Sequence, residues 1–284
     1  MTQPIDELIR GVVRVGTLQT VYERLAQVMD HPLSSSSDIG KVISEDPDLT
    51  GRLLRLVNSP IYGFPSRIST VSQAISVVGV NQLHDLAMGA SFIRLFASVP
   101  QDLVDMTSFW AHSVGCAVAA RILAKERREQ NAERFFVAGL LHDIGRPIMY
   151  QKLPEKSLAA LERVRQTGEL LHRVEAEVFG FHHGQVGSAL LERWKLPLVL
   201  QEAAAWHHQP RYAGRYPVEA AVVHVADHLA NAFELGSSGE HLVPPLLPEG
   251  WESVGLPATV IPAVLQQIDL QFADAVSAVL GNEA

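Results

Sequence analysis

Apolar residues recur at steps of three and four along most of this chain, which is the spacing of one face of an α-helix. In residues 18–29, for example, Leu18, Val21, Leu25 and Val28 share one face. The same pattern predicts further helices at residues 39–45, 49–57, 70–77, 83–96, 107–129, 135–141, 153–165, 171–179, 183–191, 198–206, 218–233 and 258–280. The alternating pattern of a β-strand is almost absent from the first hundred residues. We therefore predict an all-α protein.

Helix ends are predicted from residues that cap or break helices. Ser37 or Asp38 is expected to cap one early helix, and Asp48 is expected to cap the next. The sequence Ile-Gly-Arg-Pro at residues 144–147 is expected to stop the helix that precedes it. Residues 236–257 contain four prolines and four glycines, which predicts an irregular loop before the last helix.

The most apolar helix, at residues 135–141, leads directly into an imidazole and a carboxylate, His142 and Asp143. Adjacent helical residues point about 100° apart, so these two side chains cannot both face one ion unless they lean into a common cavity. In such a cavity a carboxylate can use its second oxygen to reach another ion. This pair therefore suggests two metal ions rather than one.

Composition limits the class of protein. The chain has 284 residues, 47% of them hydrophobic, which is enough for a large packed core. Its single cysteine, Cys116, excludes a disulfide framework and a cysteine-based zinc site. No apolar run approaches the roughly 18 residues of a membrane span, and we expect a cytoplasmic protein. A net charge of −8 without a basic block disfavours direct binding to nucleic acid.

The histidines are clustered, since five of the twelve are His142 and the pairs at 182–183 and 207–208. His183 shares a helix face with Val186 and Leu190, whereas His182 is rotated off it, so His183 is the inward candidate. Asp227 lies among apolar residues, where a carboxylate is costly unless it is paired or binds a cation.

Motifs spread along the chain resemble the HDOD domain, the HD-related output domain of bacterial signalling proteins. The matching features include Asp46-Pro47, Asn58-Ser59, the sequence GLLHDIG at residues 139–145 and the histidine pairs, and the resemblance spans about residues 15–235. It implies a multi-helix HDOD fold. We expect an N-terminal helical subdomain at residues 1–100, an HD-like helical core at 101–235, and a C-terminal loop and helix at 236–284.

In the catalytic HD superfamily, and particularly in its cyclic-dinucleotide phosphodiesterases, residues in this order hold two metal ions. The resemblance implies that Asp143 bridges two divalent ions, which histidine and carboxylate ligands restrict to iron, manganese or zinc. The implied ligands of the first ion are His112, His142, Asp143 and Asp227. The implied ligands of the second ion are Asp143, His183, His207 and His208.

The substrate side departs from the phosphodiesterase pattern. Arg146 stands where those enzymes have a lysine that contacts phosphate, and the two cations differ in geometry. If the protein is an enzyme, the resemblance makes His142, Asp143 and Arg146 its catalytic residues. The glycine-tyrosine-proline signature is absent, and Gln209 replaces the acid after the second histidine pair. Ser108 occupies the position of a glutamate that binds a third ion in some relatives, so a third ion is not expected.

Three functions fit these residues. The resemblance favours a signalling protein that acts on a regulatory protein partner or through a bound ligand, with a retained binuclear site. The second is a metal-dependent phosphohydrolase acting on a nucleotide or cyclic dinucleotide. The third is a sensor that binds a nucleotide or metal without hydrolysis. No membrane or nucleic-acid partner is expected.

Overall fold

The computed structural model describes residues 3–10, 24–25, 27–28, 35–92, 99 and 103–281. Within these ranges every regular element is helical, which confirms the all-α prediction. The predicted helix at residues 18–29 lies mostly outside the described residues. The α-helices are α1 Gln3–Arg10, α2 Ser36–Ser44, α3 Pro47–Val57, α4 Val71–Val78, α5 Val80–Phe92, α6 Met106–Glu126, α7 Ala132–Leu141, α8 Gly145–Lys152, α9 Pro154–Thr167, α10 Leu171–Phe179, α11 His183–Arg193, α12 Leu198–Trp206, α13 Pro217–Ala232, α14 Pro248–Val254 and α15 Ile261–Leu280.

The early helices start at caps other than those predicted. Ser35, not Ser37 or Asp38, caps α2. Asp38, at the third helical position, accepts the backbone N–H of Ser35 with its carboxylate, which is the arrangement of a capping box. Asp46, not Asp48, caps α3, because its carboxylate accepts the backbone N–H groups of residues 48 and 49. Pro47 then takes the first helical position, where a missing N–H costs nothing.

The core is arranged around α6. Every residue from 112 to 124 of this helix is buried, which is typical of a helix with packing partners on all sides. It packs against α7, α13 and α15. Gly139 on α7 lies against the backbone of Ala117 on α6. A Cβ atom added at Gly139 would lie 2.8 Å from the Cα atom of Ala117. The two helices therefore cross in direct backbone contact, which brings the end of α7 close to His112 on α6.

The helix α7 ends at Leu141, before the breakers expected at residues 144–147. Residues 142–144 form a single turn, and α8 begins at once at Gly145, so the expected breakers redirect the chain instead of ending helical structure. A Cβ at Gly145 would lie 2.0 Å from the carbonyl oxygen of His183. This contact holds Asp143, before α8, close to His183, the first residue of α11.

The late segment is more ordered than predicted. The expected loop at residues 236–257 contains the helix α14, and α15 follows where the last helix was predicted. Arg52 on α3 donates a hydrogen bond of 2.7 Å to the carbonyl of Val279 on α15. The last helix therefore packs on the early helix α3 as well as on α6. Among the described residues, no helix is both long and apolar enough to cross a membrane.

Candidate metal centre

All seven predicted ligands come together in one cluster, in which His208 alone is partly exposed. His112 comes from α6, His142 and Asp143 from the turn between α7 and α8, and Asp227 from α13. The other three are His183 at the start of α11 and, after α12, His207 and His208. Residues separated by more than one hundred positions thus face one space at the centre of the helices.

The first set of side chains surrounds one oxygen of Asp227. Its Oδ1 lies 3.1 Å from His112 Nε2 and 3.5 Å from His142 Nε2. The Oδ2 of Asp143 lies 3.5 Å from the same nitrogen of His142 and 3.9 Å from that of His112.

The second set surrounds the Nε2 atom of His183. This nitrogen lies 3.1 Å from His208 Nε2 and 3.3 Å from His207 Nε2. It also lies 3.0 Å from Asp143 Oδ1, which is 3.7 Å from His207 Nε2. Asp143 therefore turns one oxygen toward each set, as a bridging carboxylate would.

Hydrogen bonds at Nδ1 fix the direction of three imidazoles. His142 Nδ1 donates to the carbonyl of Gly139 at 2.7 Å, and His207 Nδ1 donates to that of Ala204 at 2.9 Å. His183 Nδ1 donates to the carboxylate of Glu175 at 2.5 Å. With a proton already at Nδ1, each ring presents Nε2 to the shared space, which is the usual arrangement of metal-binding histidines.

The cluster fits metal ions by two further observations. The Nε2 atoms of His112 and His142 and the Oδ1 atom of Asp143 are buried without a hydrogen-bond partner, and buried polar atoms are rarely left so. Four ligands at the ~2.1 Å typical of zinc–nitrogen bonds lie roughly 3.4 Å apart. The separations within each set are close to this value, so histidine and carboxylate groups here could hold metal.

Comparison with known proteins identifies the family of this chain. The HDOD domain model matches residues 15–210. The chain belongs to the HDOD domain family. A curated relative, an uncharacterized protein of Treponema pallidum (strain Nichols), is 26% identical over 190 residues, which are 66% of this chain and 36% of the relative. The chain thus spans about a third of the length of that relative.

Solved structures share the HDOD fold. An HDOD domain protein of unknown function from Geobacter sulfurreducens superposes with a TM-score of 0.77 at 24% identity, over 98% of this chain and 96% of the other. A provisionally named phosphohydrolase from Shewanella amazonensis SB2B gives 0.76 at 22% identity, over 96% and 97%. A provisionally named signal transduction protein from Marinobacter aquaeolei VT8 gives 0.67 at 22%, over 92% and 57%.

The carboxylates of this HDOD protein are kept ionised. Burial would raise the pKa of Asp143, but Arg146, His142 and His183 outweigh it and hold that pKa well below its usual value. Burial opposes ionisation of Asp227 too, yet contacts with His112 and His142 lower its pKa as well. Both side chains therefore offer negative oxygens to a cation.

The histidines divide into two groups. Burial, reinforced by neighbouring imidazoles, lowers the pKa of His207 and of His208 well below the usual value. For His142, burial is outweighed by Asp143 and the pKa is raised, and the pKa of His183 is raised by Glu175 and Asp143 against burial and Arg146. The carboxylates thus favour the charged form of the last two rings, whereas burial favours the neutral form of His207 and His208, which is the form that binds a metal ion.

Arg146 lies beside the cluster and contacts its carboxylates. Its side chain is buried, its Nη1 lies 3.2 Å from Asp143 Oδ2, and it donates a short hydrogen bond to the hydroxyl of Ser238. Its Nε is 3.7 Å from Glu175. The guanidinium therefore neutralises and orients the carboxylates of the site. At Ser108, the position of the third-ion glutamate in some relatives, the hydroxyl accepts the backbone N–H of Ser237 at 3.0 Å.

Three supporting residues were missed from the sequence. Glu175 holds both the ring and the backbone N–H of His183, and His224 donates to the carbonyl of His207 at 2.8 Å. His172 stacks on His208 with ring centroids 4.0 Å apart. Glu175 is buried on α10 beside Val174. A carboxylate among apolar residues is costly unless it is paired, and this argument, which singled out Asp227, could also have singled out Glu175.

Proposed function

We propose that this HDOD protein is a regulatory module that acts on a protein partner and whose helical core is held together by two divalent ions. The observation that carries this proposal is the burial of the predicted metal ligands. His112, His142 and His183 have no exposed surface, and Asp143, His207 and Asp227 are at most 5% exposed. A nucleotide would need an open way to these ligand atoms, whereas an ion is small enough to enter beside His208, the one partly exposed ligand.

The ligand set supports a cross-link between distant parts of the chain. The two sets draw on α6, α11, α13, the turn after α7 and the end of α12. Iron, manganese or zinc bound there would supply Lewis-acid chemistry and would connect these elements. Glu175, Arg146 and His224 orient the ligands in the manner of the outer partners of metal sites.

The experiment that tests the proposal is metal analysis of protein purified without chelator, followed by thermal unfolding before and after chelation. We expect up to two divalent ions per chain and a fall in melting temperature of about 10 °C or more when they are removed, because binding to the folded state alone adds stability. Protein that takes up no iron, manganese or zinc, or whose unfolding ignores them, would contradict this role.

A second candidate function is metal-dependent phosphohydrolysis. Specific support comes from the bridging position of Asp143 between the two sets, since paired ions can stabilise both oxygens of a phosphoryl displacement. The names of two Shewanella amazonensis SB2B proteins with this fold point the same way. A nucleotide or cyclic dinucleotide would be the substrate class.

Hydrolysis of bis(4-nitrophenyl) phosphate by the iron-, manganese- or zinc-loaded protein separates the two candidates. The regulatory proposal predicts no turnover above that of the free ion. Turnover that disappears in both His142→Ala and Asp143→Ala, with the helical content unchanged, would replace it with the phosphohydrolase. Because both variants remove ligands, Asp269→Asn on the exposed face of α15 serves as the matched control.

A further inference from the structure

A cleft of about 1030 Å³ opens between α3, the loop at residues 58–69 and α15. None of the seven predicted metal ligands lines it. Both apolar and charged side chains line it. The residues that carry the inference are Leu54, Arg55, Phe64, Arg67, Ile68 and Asp274. A cleft of this size is comparable with the sites that hold ligands or short peptide segments.

The loop that forms one wall is held in shape by its own hydrogen bonds. The side-chain amide of Asn58 accepts the N–H of Ile68 at 2.7 Å and donates to its carbonyl at 2.7 Å. Ser59 also donates to the carbonyl of Leu56 at 2.7 Å. A wall fixed in this way loses little conformational entropy when a partner binds.

The same loop is anchored to the core helix that carries His112. Arg121 on α6 donates to the carbonyl of Ile61 at 2.9 Å, and its guanidinium lies 4.5 Å from the centroid of the Tyr62 ring. Tyr62 in turn stacks on Phe64, which lines the cleft. A molecule bound in the cleft therefore contacts a loop that is anchored to α6, the central helix of the core.

The charge of the cleft is opposite to that of the whole chain. The chain carries −8, but the cleft has two arginines and a single acid, Asp274. Arg67 is exposed and makes no hydrogen bond or ion pair with any residue that the structure describes. Arg55 is also exposed, with only a long contact of 3.4 Å from its Nε to the carbonyl of Ala278.

We propose that this cleft binds an acidic peptide segment of a partner protein. Carboxylates of the segment pair with Arg55 and Arg67, and an apolar side chain packs on Leu54, Phe64 and Ile68. Arginine favours this partner because its planar fork matches a carboxylate with two hydrogen bonds. Nucleic acid does not fit, since its binding depends on many phosphate contacts and the surrounding chain is acidic.

This inference rests on the regulatory part of the proposed function and not on the metal ions. It is tested by selecting peptides from a random twelve-residue display library on the full chain. Selected peptides are then measured by fluorescence polarisation against wild-type protein and against the double variant Arg55→Glu/Arg67→Glu. We expect selected sequences rich in glutamate and aspartate next to large apolar residues, and at least tenfold weaker binding to the double variant.

Two variants keep the result interpretable. Arg67→Glu alone removes a side chain without partners among the described residues, so it should fold normally and still weaken binding at least threefold. Arg193→Glu, an exposed arginine of α11 outside the cleft, should bind like wild type. Equal binding to wild type and Arg67→Glu, or no enrichment of acidic peptides, would overturn the proposal.

Two further measurements test for a second copy of this chain in the cleft and for dependence on the metal ions. Light scattering that finds a dimer lost in Arg67→Glu would replace the peptide with a second copy of this chain. Binding that persists in chelated protein would show that the cleft works whether or not the ions are present. Failure of the cleft and failure of the metal centre are thus distinguishable.

Discussion

The early helices, α2 to α5, and the core helices that follow use their polar residues differently. Before residue 103, Ser59 and His84 are the only buried polar side chains that the structure describes. In the core, buried polar groups are numerous and most of them contact one another, as Arg121 does with Glu133. The early region is therefore stabilised mainly by apolar burial and helix caps, while the core depends on charges that must stay paired.

This difference also explains which residues carry function. In an amphipathic helix such as α3, polar residues face water and say little about chemistry. In α6, which is buried on all sides, His112 has no water to face, so its presence demands a partner. The polar residues of the core are thus the informative ones.

The largest expected effect comes from removing the bridge between the two metal-ligand sets. Asp143→Asn leaves one uncharged oxygen where two negative ones faced His142 and His183. We expect ion content to fall from two per chain to one or none, measured by mass spectrometry of metals after dialysis. Asp269→Asn should retain both ions, and an unchanged content in Asp143→Asn would rule out the bridge.

The next largest effect is expected from Arg121→Ala. This change leaves Glu133 buried without its ion pair and the carbonyl of Ile61 without its donor. We expect the free energy of unfolding to fall by about 3–5 kcal/mol, as when one partner of a buried pair is removed. Urea denaturation measures it, and the double variant Arg121→Met/Glu133→Leu should recover most of the loss. A loss below ~1 kcal/mol would mean that a buried charge of the core can stay without its ion-pair partner at little cost in stability.

In the early region, an apolar truncation should matter more than any single polar change. Leu53 on α3 is 1% exposed, and Leu53→Ala leaves a cavity that typically costs about 2–5 kcal/mol. The same denaturation experiment measures the change. Val77→Ala on α4, where the side chain is 46% exposed, should shift the free energy of unfolding by less than ~0.5 kcal/mol.

The smallest expected effect is the loss of a helix cap. Asp46→Ala removes the acceptor of two backbone N–H groups at the start of α3 and should cost about 1 kcal/mol. Asp46→Asn keeps an accepting oxygen and should retain most of the stability. If the alanine variant lost as much as Arg121→Ala, the early region would depend on polar groups as strongly as the core.

Much of the fold could be predicted because local signals decide it. The helix at Leu198–Trp206 was predicted with its observed bounds, since Pro197 precedes it and the histidine pair follows. The caps were placed two or three residues late because neighbouring serines and aspartates all suit the role. The helix Pro248–Val254 was missed because seven residues are too few to establish a periodic pattern.

The candidate site could be predicted only as far as residue type and family resemblance reach. The seven residues were named from the sequence and lie together, and their role as metal ligands stays a prediction. The partners of those residues could not be predicted, because they depend on tertiary contacts. Glu175 reaches His183 from a separate helix, and His224 reaches back to the carbonyl of His207. Arg146 stands at the position of a phosphate-contacting lysine, and its burial beside Asp143 and Glu175 could not be predicted from the sequence.

The close approach at Gly145 has a consequence for how ions exchange with solvent. Because the backbones of α8 and α11 touch there, Asp143 and His183 cannot separate without unpacking two helices. His208 lies at the edge of the cluster, is partly exposed and is held on one side by the ring of His172. We therefore expect the residence time of a metal ion to depend on rotation of this one imidazole rather than on motion of the helices.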